Sequence, residues 1–333
     1  MPGKADPTIL CEHVFTRTGA TDDAVTLGPA LGEDAAAIDW PGGSLVVSSD
    51  PISLAASRVG TLGVHVACND VAASGADPRW LTVVILLPDG DADLEAITDD
   101  VDAAARSLGV AVVGGHTETV DALERPLLSL TAMGATEQVV PTGGASPGDR
   151  VVLAGAAGVE GTAILAADFG DQLGVDDDIR TEALTLFDDI SVVPAARALR
   201  DHATAMHDPT EGGIAAAALE VAQAGACTVE IDREAVAIRE ETRALCAAAG
   251  VDPLRIFGSG ALIATVPPAR LEAALAALET AGIEGTDIGA VSDLEAENRA
   301  GAGPEPAALI DGERIEDPVT DDLYPLWAAA DAE

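Results

Sequence analysis

Aromatic side chains are nearly missing from this chain, at 2% of its 333 residues. Its interior must therefore be packed by Ala, Val, Leu and Ile, which the 48% apolar content supplies amply. Lysine is scarcer still: Lys4 is the only one, and every other basic residue is an arginine. That excludes a P-loop, whose Gly-Lys-Ser/Thr needs a lysine in a glycine-rich turn. Apolar runs of the ~18–20 residues that span a bilayer are also lacking. The first residues, Met-Pro-Gly-Lys-Ala-Asp, have no hydrophobic centre of a signal peptide. A cytoplasmic protein with no membrane association is expected. Four cysteines, Cys11, Cys68, Cys227 and Cys246, show no CxxC spacing. A structural zinc site is not expected, and most of the four should be buried free thiols. Positive charge is short overall, with 57 acids against 17 basic residues and a formal net charge of −40. No basic stripe is present, which argues against nucleic-acid binding. The acids are dispersed over every expected helix and turn instead of forming a tail. Dispersed acidity on a foldable chain is the pattern of adaptation to molar salt, where self-repulsion is screened.

The length suits two domains better than one core. Residues 45–49, 80–87, 110–113 and 126–133 read as strands, and 57–76 as a helix. Residues 91–108 read as an amphipathic helix with Asp91 and Asp93 near its positive end. The clearest loop is Pro141-Thr-Gly-Gly-Ala-Ser-Pro-Gly-Asp149. It places the boundary between a domain of residues 1–145 and one of residues 146–333. The second domain restarts with a strand at 151–154 and helices around 158–168 and 193–202. A glycine-rich turn at 206–213, a helix at 214–224, a strand at 261–266 and a helix at 270–281 follow. This alternation points to an α/β or α+β class.

Polar residues gather at four places where the pattern expects interior or strand-end positions. Glu33 and Asp34 occupy a glycine-led turn before an apolar run, in Leu31-Gly-Glu-Asp-Ala-Ala-Ala-Ile38. Asp50 ends the apolar strand Val46-Val-Ser-Ser-Asp50, and Asn69 and Asp70 interrupt a small, apolar helix. Gly114 and Gly115 read as a turn with His116, Thr117 and Glu118 at its tip. Each has a plainer reading: Asp50 as a turn cap, His116 as a satisfied loop histidine. Asp70 resists it best, because Cys68, Val71 and Ala72 flank it and a buried lone carboxylate costs several kcal/mol. Together, carboxylates at strand ends suit Mg²⁺, which binds through one or two carboxylates plus substrate phosphates. A chain so acidic also needs a cation to hold a polyphosphate. In the second half, Asp208 or Thr210 of Met206-His-Asp-Pro-Thr-Glu-Gly-Gly-Ile214 can cap the next helix. Gly212 and Gly213 would let its N-terminus approach a ligand, and open N–H groups there favour an anion such as phosphate. The alternative is a plain capped turn.

These clusters, in this order, resemble the motifs of the AIR synthase (PurM-like) superfamily of ATP-binding enzymes, from about Leu31 to about Val291. Within it the stretch His207–Ile214 is similar to the second-domain signature of the hydrogenase-maturation HypE family. So is the region 238–266, with Cys246, Gly250-Val-Asp-Pro-Leu254 and Gly260-Ala-Leu-Ile-Ala. The resemblance implies a two-domain α/β (α+β) fold, with an N-terminal domain that dimerises through its sheet and a C-terminal α/β domain. ATP would lie in a cleft near the dimer interface. Asp34, Asp50 and Asp70 would be the Mg²⁺ carboxylates, and Asn69, Gly114, Gly115, Gly212 and Gly213 would join them around the nucleotide. His116 and Glu118 would stand at the phosphate end, and Asp208 on the acceptor side. A homodimer and a maturation-complex partner are implied. The implied activity is ATP-dependent activation of an amide or carbonyl oxygen by phosphoryl transfer, releasing ADP and phosphate. Two alternatives stand beside it: a non-catalytic, nucleotide-binding HypE paralogue, and a thiamine-monophosphate kinase-like phosphotransferase. HypE enzymes act on their own C-terminal cysteine, whereas Cys246 is the last cysteine here. Where HypE has Asn-Glu-Gly before the last strand, this chain has Gly258-Ser259-Gly260.

Overall fold

The computed structural model describes residues 4–53, 58–88, 94–294 and 305–330. Two compact units result, a smaller one of Asp22–Gly28 with Asp34–Val139 and a larger one of Met1–Thr21, Pro29–Glu33 and Val140–Glu333. This division departs from a single cut at 145, because the first 21 residues and residues 29–33 belong with the larger unit. Hydrogen bonds explain the return of the chain. The Glu33 carboxylate accepts the N–H groups of Thr142 at 3.1 Å and Gly143 at 2.9 Å.

The smaller unit is one six-stranded sheet with two helices. Its strands are β1 (Val25–Leu27), β2 (Ala36–Trp40), β3 (Gly43–Ile52), β4 (Asp77–Leu87), β5 (Ala111–Thr119) and β6 (Leu127–Thr136), in the order β1-β2-β3-β6-β4-β5. All neighbours are antiparallel except β4 and β5. Buried positions alternate along β4 and β6, as in a sheet with one covered face. The helices are α1 (Val59–Ala73) and α2 (Leu94–Leu108). Positions 91 and 93, expected at the start of α2, lie outside the described residues. α1 is buried nearly throughout, and its glycines permit this. A Cβ on Gly63 would meet the Leu130 side chain at 2.6 Å. Among the described residues no Phe, Tyr or Trp ring is buried in this unit; Val, Leu, Ile and Ala fill it, as composition requires.

The larger unit holds a seven-stranded sheet. Its strands are β7 (Arg150–Ala154), β8 (Ala205–His207), β9 (Thr228–Ile231), β10 (Leu262–Val266), β11 (Gly285–Ser292), β12 (Ala307–Ile310) and β13 (Glu313–Arg314). Their order is β13-β12-β9-β11-β7-β10-β8, antiparallel except for β9 with β12. The principal helices are α3 (Val159–Ile164), α4 (Asp177–Thr185), α5 (Val193–Leu199), α6 (Gly213–Gly225), α7 (Glu240–Ala249), α8 (Leu271–Thr280) and α9 (Tyr324–Ala330). The alanine-rich α6 shares a core with Val151, Leu153, Val229 and Ile263 of the sheet. The architecture is thus mixed α/β with two largely antiparallel sheets.

Cys68, Cys227 and Cys246 are buried free thiols and Cys11 is exposed. Burial pushes Cys68 and Cys246 up to about 12 and Cys227 to about 11, so these three are inert thiols. No helix among the described residues is long and apolar enough to cross a membrane.

Candidate functional site

In the smaller unit, three of the expected carboxylates belong to adjoining elements. Asp34 precedes β2, Asp50 lies on β3 and Asp70 lies on α1. Asp50 is inside its strand, opposite Leu130 of β6, and does not close it. Ser48 joins two of these carboxylates and the main chain of the third. Its buried hydroxyl lies 3.1 Å from the Asp34 carbonyl oxygen, 3.1 Å from Asp50 Oδ2 and 2.5 Å from Asp70 Oδ2. One hydroxyl proton serves one acceptor at a time, so three oxygens crowd a single donor. Asp70 is 7% exposed and Asn69 fully buried, which places these polar groups in the low-dielectric interior of the unit. An oxygen-only, acceptor-rich setting fits a hard cation such as Mg²⁺. No group of three or more His, Cys, Asp or Glu side chains among the described residues forms a metal cage by itself. A cation here would complete its shell with water or with ligand oxygens, as Mg²⁺ habitually does.

Gly114 and Gly115 do not form a turn. They lie within β5, which runs unbroken from Ala111 to Thr119 beside β4. A Cβ on Gly115 would run into the Val83 carbonyl oxygen, so glycine is needed there for strand spacing. His116 and Glu118, two apart on the strand, share a face, with His116 Nε2 2.9 Å from Glu118 Oε2. Both are more than half exposed. An open cavity of about 410 Å³ lies beside them, lined by Val83, Ile85, Val101, Val112 and His116 among others. β3 and β5 are separated by β6 and β4, so three strand spacings, roughly 14 Å, part His116 and Glu118 from the Asp50 row.

In the larger unit, the turn after β8 is built on a buried polar row. His207 and Asp208 are each 1% exposed. His207 Nε2 lies 2.8 Å from Glu220 Oε2 on α6, and Lys4 Nζ donates to Glu220 Oε1 at 2.6 Å. Burial pushes the Glu220 carboxyl up, but Lys4 and then His207 outweigh it and hold it at about 2. The Lys4 backbone N–H donates to Glu211 Oε2 at 3.1 Å, which ties the N-terminal segment to the same turn.

Gly212 and Gly213 adopt φ of +76° and +58°, conformations that favour glycine. Their N–H groups are not open to an outside anion, contrary to expectation. Gly212 donates to Asp321 Oδ2 at 2.8 Å and Gly213 to the Thr210 carbonyl at 3.1 Å. The Ala215 N–H is likewise taken, by the Leu254 carbonyl at 3.0 Å. The chain supplies its own carboxyl acceptor to the α6 terminus. Ser259 sits beside Glu160 of α3, whose N–H donates to the Ser259 carbonyl at 3.3 Å. Burial pushes Glu160 up, Ser259 partly offsets this, and Glu211 adds to the rise. A carboxylate is therefore present next to the position where the HypE pattern has its glutamate. Ser48, Glu160, Glu220 and Asp321 were not singled out by sequence reasoning, and Lys4 only as the sole lysine. The available signal was weak: Glu160 and Glu220 are lone charges inside small-residue runs.

Residues 32–136 match the family described as AIR synthase related protein, N-terminal domain, and residues 146–298 match its C-terminal domain. The carbamoyl dehydratase HypE of Rhizobium leguminosarum bv. viciae is 33% identical over 275 residues, spanning 78% of this chain and 77% of its own. The crystal structure of a hydrogenase maturation protein HypE in complex with ATP superposes with a TM-score of 0.66 at 27% identity, covering 92% of each chain. Thiamine monophosphate kinase from Aquifex aeolicus shares the fold, with a TM-score of 0.69 at 22% identity over 85% of this chain and 92% of its own. On motifs, sequence likeness and fold together, this chain belongs to the AIR synthase related family and is HypE-like.

Proposed function

We propose that this protein binds ATP with Mg²⁺ and uses it to activate an amide or carbonyl oxygen of an acceptor by phosphoryl transfer, releasing ADP and phosphate. The observation that carries this reading is the convergence of the Asp50 and Asp70 carboxylates and the Asp34 main-chain carbonyl on the buried Ser48 hydroxyl. A HypE relative crystallised with ATP, and another bearing the name carbamoyl dehydratase, supply the direction of the chemistry. In this reading Asp34, Asp50 and Asp70 hold the cation, with Asn69 packed behind them. Bound Mg²⁺ would neutralise phosphate charge that a protein of net charge −40 would otherwise repel. His116 and Glu118, with Gly114 and Gly115, lie roughly 14 Å along the sheet from the Asp50 row and would form the phosphate end of a second copy's site, reached by pairing through β5. Positioning supplies most of the rate.

A second reading, a nucleotide-binding paralogue without turnover that serves a maturation complex, is favoured by Ser259 standing where the HypE pattern has glutamate. The likeness to thiamine monophosphate kinase extends to the fold. A homodimer belongs to the same proposal. β5 is a sheet-edge strand, exposed throughout, with Val112 and Val113 at 48% and 55% exposure. Such an edge suits pairing with a second copy.

Calorimetric titration of ATP in molar KCl, with and without excess Mg²⁺, tests the proposal, followed by an ADP-release assay. Mg²⁺-dependent binding is expected, and Asp50→Asn and Asp70→Asn should each weaken it at least roughly tenfold. If both variants bind MgATP like the parent, the site assignment fails. Binding without ADP release from any amide substrate would favour the second reading.

A further inference from the structure

The chain leaves the larger unit after Glu33 and returns to it at Val140. One side chain ties the departing strand to the returning one. Glu33 Oε1 accepts the Gly143 N–H at 2.9 Å, and Oε2 accepts the Thr142 N–H at 3.1 Å. Both carboxylate oxygens are thus spent on successive amides of the returning chain. Such charge-assisted bonds are about twice as strong as neutral ones. Both halves of this clasp rest on α6. Gly32 has φ of +80°, and a Cβ there would meet the Glu220 carbonyl oxygen at 2.7 Å. A Cβ on Gly143 would meet the Ala224 carbonyl oxygen at 2.8 Å. Glycine at both positions lets the two segments lie close against the last turns of the helix. The far side is fixed too, since Thr142 is 3% exposed and its hydroxyl donates to the Met206 carbonyl of β8 at 3.4 Å. The Glu33 N–H donates to the Ala30 carbonyl at 3.3 Å, so this residue is held by main chain and side chain alike.

The next residue is Asp34. Its carbonyl accepts the Ser48 hydroxyl at 3.1 Å, the following Ala35 is buried, and β2 begins at Ala36, opposite Val47 of β3. The Asp34 main chain therefore runs between two fixed points, the Glu33 clasp before it and the Ser48 bond on its own carbonyl. Each residue has only two soft backbone torsions, and ordering them costs roughly 1–2 kcal/mol per residue. A carboxylate carried on a backbone already ordered has less freedom to lose when it closes on a cation.

We infer that Glu33 is a positioning residue for the cation site. It does not hold the cation. Clasped on Thr142 and Gly143, it fixes the main chain that carries Asp34 and so sets the affinity of the site for magnesium-bound nucleotide. The inference rests on the reading of Asp34, Asp50 and Asp70 as the cation carboxylates. Groups that fix a metal ligand in place are typically worth about 10–100-fold in metal affinity.

Two measurements on the full chain in molar KCl test it: calorimetric titration with MgATP, and hydrogen exchange read by mass spectrometry without ligand. Glu33→Ala should weaken MgATP binding roughly tenfold and speed exchange at residues 34–40 as well as 142–144. Glu33→Gln keeps one acceptor oxygen but turns an NH₂ group against the second amide, so it should fall between the parent and Glu33→Ala on both readouts. Arg150→Met gives the comparison for a purely structural loss, because it removes the Arg150–Asp287 pair of the larger unit. It should lower the thermal midpoint and leave MgATP affinity and exchange at residues 34–40 as in the parent. Parent-like MgATP affinity in Glu33→Ala overturns the inference, and so does unchanged exchange at residues 34–40. Should that variant not fold, Glu33→Gln is held to the same two criteria. A parent protein that binds no MgATP overturns the reading of the site itself; the clasp is then decided by exchange alone, and unchanged exchange at residues 34–40 overturns it.

Discussion

Lys4, Glu220 and His207 form a row in which each group constrains the next. Because Glu220 is held at about 2, below its ordinary 4.5, it contributes stability that is present above pH 4.5 and lost as pH falls toward 2. Lys4→Met should therefore move acid unfolding to higher pH. Since the lysine is half exposed, it should cost only about 1 kcal/mol near neutrality, measured by denaturant titration. Asp70 presents the opposite case. An Asp70→Asn amide brings a donor into an acceptor-rich spot, so stability should stay within about 1 kcal/mol of the parent or rise, while Mg²⁺-dependent affinity is lost. Thermal unfolding beside the calorimetric titration separates the two effects. Asp70 was legible because its neighbours Cys68, Val71 and Ala72 left no reason for a charge. Glu160, Glu220 and Asp321 were not, because in a chain with 57 acids an isolated carboxylate carries little information. Their meaning comes from partners far away along the chain.

Strands and helices were legible where length and apolar content marked them, as in α1, β4 and α6. β5 shows where local signals mislead. A Gly-Gly pair normally marks a turn, yet here the pair lets one strand pass close to another. Gly115→Ala should destabilise the smaller unit by about 1–3 kcal/mol and disturb the His116–Glu118 face, visible as a lowered thermal midpoint. The start of α6 was legible as a glycine-rich capped turn, but its occupant was not, since Asp321 lies 109 positions from Gly212. In α9, Trp327 is an aromatic anchor packed on Phe169 and Phe257. Trp327→Ala should lower the hydrogen-exchange protection of α9, read by mass spectrometry.

At the scale of the whole molecule, a net charge of −40 opposes compaction unless salt screens it. If the proposed adaptation holds, the thermal midpoint should climb by roughly 10 °C or more between about 0.2 M and about 2 M KCl. A midpoint indifferent to KCl would remove the halophilic reading. Two domains and their family were legible from length, the proline-glycine loop near 145 and the ordered motifs. The division of the first 33 residues was not, since it depends on contacts such as Lys4 with Glu220, 216 positions apart. That arrangement bears on how the protein is made. The smaller unit is spliced into the larger, so on the ribosome it emerges nearly whole while residues 4–21 and 29–33 wait for α6 and the loop at 142–143. A nascent chain halted before position 220 would hold one finished body, with its leading arm still seeking a place to dock.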